Sequence, residues 1–176
     1  AFRDVAHTIY ECPLDLRRDK IDRLVVDKIG LGHTPSPRLE DWETFVQRVI
    51  HPKHKITIAV AGKYIELQDA YKSIYESLIH AGSRHDTKVQ IVRVEAEAIE
   101  DHGAKAVIGD VDGILVPGGF GDRGIEGKIL AAQYARENKI PYFGICLGMQ
   151  IATIEYARNK CGLSGANSTE FDKSTP

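Results

Sequence analysis

The sequence contains few residues that could cross-link the chain or anchor it in a membrane. Its three cysteines, Cys12, Cys146 and Cys161, form neither an even disulfide framework nor a metal-ligand spacing. We therefore expect a reducing, cytoplasmic compartment. No apolar run approaches the roughly 18 residues of a membrane-spanning helix, and no signal peptide is recognisable.

The chain also lacks an excess of charge of either sign. Lysine and arginine number 23, aspartate and glutamate number 25, and the formal net charge is -2. This balance argues against nucleic-acid binding as the main function. Met149 is the only methionine, the first residue is Ala1, and the sequence stops at Pro176 after a polar run. We therefore expect a piece of a longer protein, cut at both ends.

From residue 55 onward, short apolar runs alternate with segments of helical periodicity. The predicted strands cover residues 56–61, 89–94, 113–116 and 142–145. The predicted helices cover residues 68–81, 99–107, 125–137 and 147–158. This alternation predicts right-handed βαβ units and an α/β fold, with an open parallel sheet covered by helices on both faces. Ligands of such sheets bind beyond the carboxyl ends of the strands.

The residues before position 55 predict a mainly helical linker. A short strand is expected at residues 8–12, followed by a helix within residues 14–30. A second helix is expected to begin with Ser36 as its cap and Pro37 at its first position. Pro52 would end that helix.

One short pattern points to chemistry. Residues 144–148 read Gly-Ile-Cys-Leu-Gly, which places Cys146 between a predicted strand and a predicted helix. This is the cysteine form of the nucleophile elbow, in which a sharp turn lifts the side chain out of the sheet. The following helix N-terminus favours the negative charge of a thiolate. The alternative is that Cys146 is a small buried core residue, as most lone cysteines are.

A pair of glycines after another predicted strand supports the catalytic interpretation. Acyl transfer through cysteine requires backbone N–H groups aimed at the developing oxyanion. Leu147, directly after the nucleophile, would supply one of them, and the Gly118-Gly119 turn could supply the other. A plain turn or a phosphate-binding loop are the alternatives. No Gly-x-Gly-x-x-Gly pattern or Lys-Ser/Thr pair accompanies these glycines, which argues against phosphate binding.

The sequence offers no obvious base for this nucleophile. All seven histidines precede Cys146, and we expect each of them at the surface. They are His7, His33, His51, His54, His80, His85 and His102. The base is therefore either absent or beyond Pro176, and the chain alone should lack the means to deprotonate Cys146.

Three motifs together resemble the class I, or triad, glutamine amidotransferases. They are Pro-Gly-Gly-Phe-Gly at 117–121, Gly-Ile-Cys-Leu-Gly-Met-Gln at 144–150 and Asn-Ser-Thr-Glu-Phe at 167–171. Further segments are similar specifically to the CTP synthase family, at residues 62–67, 69–73, 123–127 and 135–138. The resemblance covers nearly the whole chain.

The resemblance implies a domain organisation. Residues 1–13 would be the last strand of a synthetase, or amidoligase, domain, and residues 14–54 the helical interdomain linker. Residues 55–176 would be an incomplete glutamine amidotransferase type 1 domain, with a truncated flavodoxin-like class I glutaminase fold.

The resemblance also implies roles for individual residues. Cys146 would attack the side-chain amide of L-glutamine and form a glutamyl thioester. Gly119 and Leu147 would stabilise the oxyanion. The glutamine site would be lined by Gly119, Phe120, Leu147, Gly148, Met149, Gln150 and Glu170. Glu170 would hold the amino group of the substrate.

The family's complete reaction implies partners for other parts of the protein. Ammonia would pass to a synthetase domain that uses ATP and Mg²⁺ to aminate UTP, so no cofactor is expected in this chain. Arg123 and Glu126 resemble a loop linked to activation by GTP, although a surface ion pair between them is the alternative. The family is a homotetramer, assembled largely through the synthetase domain, and no nucleic acid or membrane is expected as a partner.

The family's His-Glu pair and an arginine that binds glutamine's carboxylate are expected beyond residue 176, so this chain by itself is expected to be inactive. Two other functions remain open: a non-catalytic regulatory or binding module on an amidotransferase-like fold, and a redox-sensing or hydrolytic relative with the same elbow.

Overall fold

The computed structural model describes residues 4–32, 34–63, 67–119 and 121–175, with the side chain of Gln68 left aside. The described residues divide into two units. The first unit contains the residues up to 54 together with 79–88, and the second contains 55–78 and 89–175. None of the described helices is long and apolar enough to cross a membrane.

The first unit begins with helical turns rather than with the predicted strand. A 3-10 helix covers Ile9–Glu11, and helix α1 covers Cys12–Arg18. The strand prediction at 8–12 is therefore wrong. The Thr8 hydroxyl accepts a hydrogen bond from the backbone amide of Tyr10. The Glu11 carboxylate accepts hydrogen bonds from the backbone amides of His7 and Thr8. This capping box satisfies the backbone locally, so the β-branched residues need no partner strand.

The rest of the linker also differs in detail from the prediction. Residues 14–30 do not form one helix, because Lys20 adopts a left-handed φ of 58° between α1 and helix α2, Ile21–Lys28. Helix α3 covers Glu40–Ile50 and therefore begins later than the predicted Ser36 cap. The Ser36 hydroxyl instead accepts a hydrogen bond from Arg23 at 2.8 Å. Because its hydroxyl is bonded to Arg23, thirteen residues earlier in the chain, Ser36 does not cap α3.

The four predicted strands are all present. They are β1 His54–Gly62, β2 Thr87–Glu95, β3 Gly113–Val116 and β4 Tyr142–Gly144. The strand order is β2-β1-β3-β4, and β3 pairs in parallel with both β1 and β4. The expected open parallel arrangement is therefore confirmed, and the carboxyl ends of β3 and β4 lie side by side.

The helices between the strands follow the prediction with two exceptions. They comprise a 3-10 helix Gln68–Tyr71, α4 Lys72–Arg84, α5 Ala96–His102, α6 Ala104–Ile108, α7 Ile125–Glu137 and α8 Leu147–Asn159. Gly82 does not end α4, which continues to a turn where Asp86 has a φ of 50°. The helix predicted at 99–107 is broken in two at Gly103.

Both faces of the sheet are covered by helices. Alternate residues of β1 and β3 point to opposite faces. One face joins Ala59, Ala61, Ile114 and Val116 to residues of α5, α6 and α7, and the other joins Val60 and Leu115 to Tyr71 and Tyr75. All four residues of β3 are buried, which explains why this strand is continuously apolar.

A buried ion pair connects α7 to α8. Arg136 donates to both carboxylate oxygens of Glu155, with Nε and Nη2 distances of 2.7 to 3.1 Å, and Asn159 donates to the same carboxylate at 3.0 Å. The Glu155 side chain is 3% exposed, whereas Glu137, which pairs with the same arginine, is 53% exposed. The buried pair fixes the spacing of the two helices.

Replacing Glu155 with alanine would leave the partly buried Arg136 without its main acceptor. We expect the free energy of unfolding to fall by about 3 kcal/mol. Glu137→Ala removes an exposed partner of the same arginine and should cost less than about 1 kcal/mol. Urea unfolding of the two variants and the parent measures both losses, and equal losses would contradict the role of burial.

The same pair predicts a dependence on pH. Burial raises the pKa of Glu155, but the hydrogen bonds from Arg136 and Asn159 outweigh it and hold the pKa below its ordinary 4.5. The stabilisation by Glu155 is therefore complete above pH 4.5 and is lost as the pH falls through the pKa of the folded state. The difference in stability between the parent and Glu155→Ala should accordingly narrow in acid.

Candidate active site

Cys146 lies at a strained turn between β4 and α8. Its backbone has a φ of 52° and a ψ of -107°, a combination that residues with a Cβ rarely adopt. The turn is held on both sides, because the Ile145 amide donates to Val116 of β3 at 3.0 Å and the Met149 amide donates to the Cys146 carbonyl at 3.0 Å. The cysteine is exposed, so the alternative of a buried core cysteine is wrong.

The two glycines around the cysteine are required by close approach of the backbone. A Cβ on Gly144 would lie closer than 3.0 Å to the backbone of Gly148. A Cβ on Gly148 would equally collide with the carbonyl oxygen of Val116. The start of α8 can therefore lie directly against β3 and β4 only because both positions lack a side chain.

The Tyr142 side chain also holds the first turn of α8 against β4. Its hydroxyl donates to the carbonyl of Gly148 at 2.8 Å. Burial raises the pKa of Tyr142 well above its usual range, so the hydroxyl remains a donor throughout the neutral range. The first turn of α8 is thus attached to β4 both through the chain and through this side chain.

The glycine pair after β3 lies against the cysteine. A Cβ built on Gly118 would be 3.4 Å from the Cβ of Cys146 and 4.0 Å from its Sγ. A Cβ on Gly119 would be 3.8 Å from the Leu147 side chain. That side chain is buried in a core cluster with α7, so only the backbone of Leu147 is available to a ligand.

The predicted glutamine-binding residues are only partly brought together. Leu147, Gly148, Met149 and Gln150 form the first turn of α8, where the Met149 side chain is exposed. The Oε1 atom of Gln150 is buried and accepts no hydrogen bond within the described parts of the chain. Phe120 lies outside the described residues, so its predicted role remains a prediction.

Glu170 lines a cavity to which none of the residues of the elbow contributes. It lines a cavity of about 390 Å³ together with Gly121, Asp122 and Phe171. Gly121 closes the glycine-rich segment that contains Gly118 and Gly119, so the cavity adjoins that loop along the chain. The predicted contact of Glu170 with the amino group of a substrate stays a prediction.

Arg123 and Glu126 do not pair with each other. Arg123 is 3.5 Å from Glu97 of α5 and donates to the Lys63 carbonyl at 3.2 Å. Glu126 instead accepts two hydrogen bonds from Arg158 of α8, at 3.0 and 2.8 Å. The alternative of an ion pair between these two residues is therefore wrong, and the expected link to GTP stays a prediction.

The histidine prediction holds wherever the structure describes it. His7, His51, His54, His80, His85 and His102 are all exposed, and His33 lies outside the described residues. Among the described residues, no group of three or more His, Cys, Asp or Glu side chains could hold a metal ion.

Lys128 is a residue that the sequence analysis missed. It lies in the first turn of α7 and is 2% exposed. Burial lowers its pKa, as does the neighbouring positive charge of Lys63, and Glu95 opposes both. The helical spacing could have revealed it, because position 128 follows Ile125 by three residues on the same inward face.

These features define an α/β domain with a cysteine nucleophile elbow facing a glycine loop. The family model of glutamine amidotransferase class-I matches residues 66–173, and the chain belongs to that family. Among curated proteins, the CTP synthases of Methanococcus aeolicus and Methanocaldococcus jannaschii are 53% and 54% identical to it over 97% of the chain. The chain spans about a third of their length, at 33% and 32% respectively.

A solved structure agrees with this assignment. The glutaminase domain of Trypanosoma brucei CTPS, with bound acivicin, is 46% identical and superposes with a TM-score of 0.63. The match covers 68% of this chain and 47% of that one. The likeness therefore extends from the sequence to the arrangement of the sheet and helices.

The strain at Cys146 can be measured by removing its Cβ. Because glycine tolerates this backbone conformation, we expect Cys146→Gly to be about 1 kcal/mol more stable than Cys146→Ala. In the regular helix, Ala152→Gly should show the opposite order and cost about 1 kcal/mol. Denaturant unfolding compares the four proteins, and a loss at position 146 equal to that at 152 would contradict a strained turn.

Proposed function

We propose that this chain provides the glutamine-hydrolysing part of a CTP synthase, with Cys146 as the nucleophile. The observation that carries the proposal is the position of the exposed cysteine at a strained elbow, where a Cβ built on Gly118 would lie 3.4 Å from the Cys146 Cβ and 4.0 Å from its Sγ. The identity to CTP synthases and the fold shared with a CTPS glutaminase domain support the same function.

The reaction follows from these groups. The Cys146 sulfur attacks the side-chain amide carbon of glutamine, a C–S bond forms, and the carbonyl electron pair moves to oxygen. Backbone N–H groups of Gly119 and Leu147 stabilise that oxyanion. The proton given up by the Cys146 thiol is passed by the base to the amide nitrogen, so that collapse of the oxyanion expels ammonia and leaves a glutamyl thioester. Water then cleaves the thioester, releasing glutamate and restoring the thiol.

Recognition of glutamine is assigned to the turn around the nucleophile and to the segment after α8. Gly148, Met149 and Gln150 lie on the first turn of the helix, and Phe120 follows the glycine pair in the chain. The carboxylate of Glu170 would attract the positively charged amino group of glutamine. Its exposed position beside Gly121 and Asp122 supports this assignment.

The remaining reaction belongs to the proposed whole protein. Ammonia would be used there to convert UTP to CTP with ATP and Mg²⁺, in a homotetramer activated by GTP through the loop of Arg123 and Glu126. The described residues offer no cluster that fits Mg²⁺, so no step is assigned to that ion here. The base of the glutaminase reaction is assigned to a His-Glu pair that these residues do not supply.

Selective alkylation distinguishes a glutamine site from a non-catalytic module. Cys12, Cys146 and Cys161 are all exposed, so they provide internal controls for one another. We expect acivicin to modify Cys146 alone, with protection by glutamine, while iodoacetamide modifies all three. Peptide mass spectrometry identifies the modified residues. Equal modification of the three cysteines by acivicin, or absence of protection, would contradict a preformed glutamine site.

Because the described residues supply no base, we expect this chain to bind glutamine without hydrolysing it. We expect no catalytic release of glutamate from glutamine, because the base is assigned to a His-Glu pair that the described residues do not supply. Glutamate release is measured with the parent chain, with Cys146→Ala as the blank. Turnover that depends on Cys146 and matches that of a complete class I glutaminase would contradict this proposal, while leaving the identity of the nucleophile intact.

A further inference from the structure

The first unit contains a cluster of four rings. The Tyr10 ring lies 4.9 Å from that of Phe45 and 6.0 Å from that of Trp42, both edge to face. The Phe45 ring is also 5.5 Å from the His80 ring. Rings at these separations attract one another through their quadrupoles as well as through burial.

Hydrogen bonds hold these rings in fixed orientations. The Trp42 Nε1–H donates to the Tyr10 carbonyl at 2.8 Å, and the Tyr10 hydroxyl is hydrogen-bonded to His80 Nε2 at 2.7 Å. Ser83 donates to the His80 carbonyl at 2.8 Å. Because the rings are already oriented, a ligand that stacks on them loses little conformational entropy on their account.

The cluster forms one wall of a cavity of about 650 Å³, a volume typical of small-molecule sites. Trp42, Phe45 and His80 contribute the aromatic part of the lining. Arg48 and Arg84 contribute two guanidinium groups. All the lining residues belong to the first unit, and none lies in the glycine loop or the elbow.

The charged side chains around the cavity leave the Arg84 guanidinium available to bind an anion. Asp86 is shared between Arg48 and Lys53, with N–O distances of 3.3 Å to each. Arg84 is exposed and has no carboxylate partner within 4.0 Å among the described residues. Asp41 is the one acidic residue of the described lining, so two guanidinium groups face one carboxylate and the local charge is positive.

We propose that this cavity binds a small ligand that carries both a planar aromatic ring and an anionic group, as a nucleoside monophosphate does. The ring would stack on Trp42 and Phe45, and the anion would contact Arg84 with Arg48 beside it. Guanidinium groups bind phosphate and carboxylate with two hydrogen bonds, and stacking on aromatic side chains tolerates different bases. The lining of the cavity shares no residue with the proposed glutamine site.

The chain contains its own reporter for this site. Trp42 is the only tryptophan, so every change in tryptophan fluorescence originates in the cavity wall. We expect adenosine 5′-monophosphate to cause a saturable change, after correction for absorption by adenine. Adenosine and ribose 5-phosphate each retain half of the recognised chemistry and should bind about tenfold more weakly. Calorimetry confirms the dissociation constants independently.

Two arginine variants test the assignment of the anion. Arg84→Gln should weaken binding of adenosine 5′-monophosphate about tenfold, because it removes the available guanidinium. Arg38→Gln changes an exposed arginine outside the cavity and should have no effect. Urea unfolding confirms that both variants fold as the parent does.

Three results would overturn the proposal. The first is the absence of any saturable change with adenosine 5′-monophosphate. The second is binding of adenosine or ribose 5-phosphate as tight as that of the monophosphate, since one half of the site would then have no function. The third is an equal loss of binding in Arg84→Gln and Arg38→Gln.

Discussion

The contact between Gly148 and the Val116 carbonyl is the constraint on which the site depends. It allows the start of α8 to rest directly on the end of β3, with no side chain between them. Cys146, the glycine loop and the first amides of α8 are brought together by that contact. A side chain at position 148 would move Cys146 away from Gly118, and the proposed function requires the two to stay within about 0.5 Å of their places. Glycine is thus required at position 148 because a side chain would not fit there, and not because the backbone needs to be flexible.

The parts of this arrangement that depend on local pattern could be predicted from the sequence. The buried strands are visible because β1 and β3 are covered on both faces and are therefore apolar without alternation. The elbow is visible because two glycines flank a cysteine at the junction of a strand and a helix. Such signals are contained in a few consecutive residues, and the fold confirms them.

The errors occur where distant residues or competing local bonds decide the structure. Thr8 and Glu11 form a capping box that the β-branched run around Ile9 concealed. Ser36 is engaged by Arg23, so it does not cap α3. The partners of Arg123 and Glu126 come from α5 and α8, and no spacing within the segment could have identified them. Side-chain pairing across elements depends on packing that the sequence does not display.

The different partners of Arg123 and Glu126 have a mechanical consequence. Arg123 connects the turn before α7 to α5 and to the backbone after β1, whereas Glu126, the second residue of α7, connects this helix to α8. The Arg123–Glu97 pair is solvent-exposed on both sides and contributes at most about 1 kcal/mol, whereas in the second pair Glu126 is 59% exposed and Arg158 only 19%. These two side chains therefore connect the start of α7 and the turn before it to α5 and α8 through ion pairs at the surface of the domain.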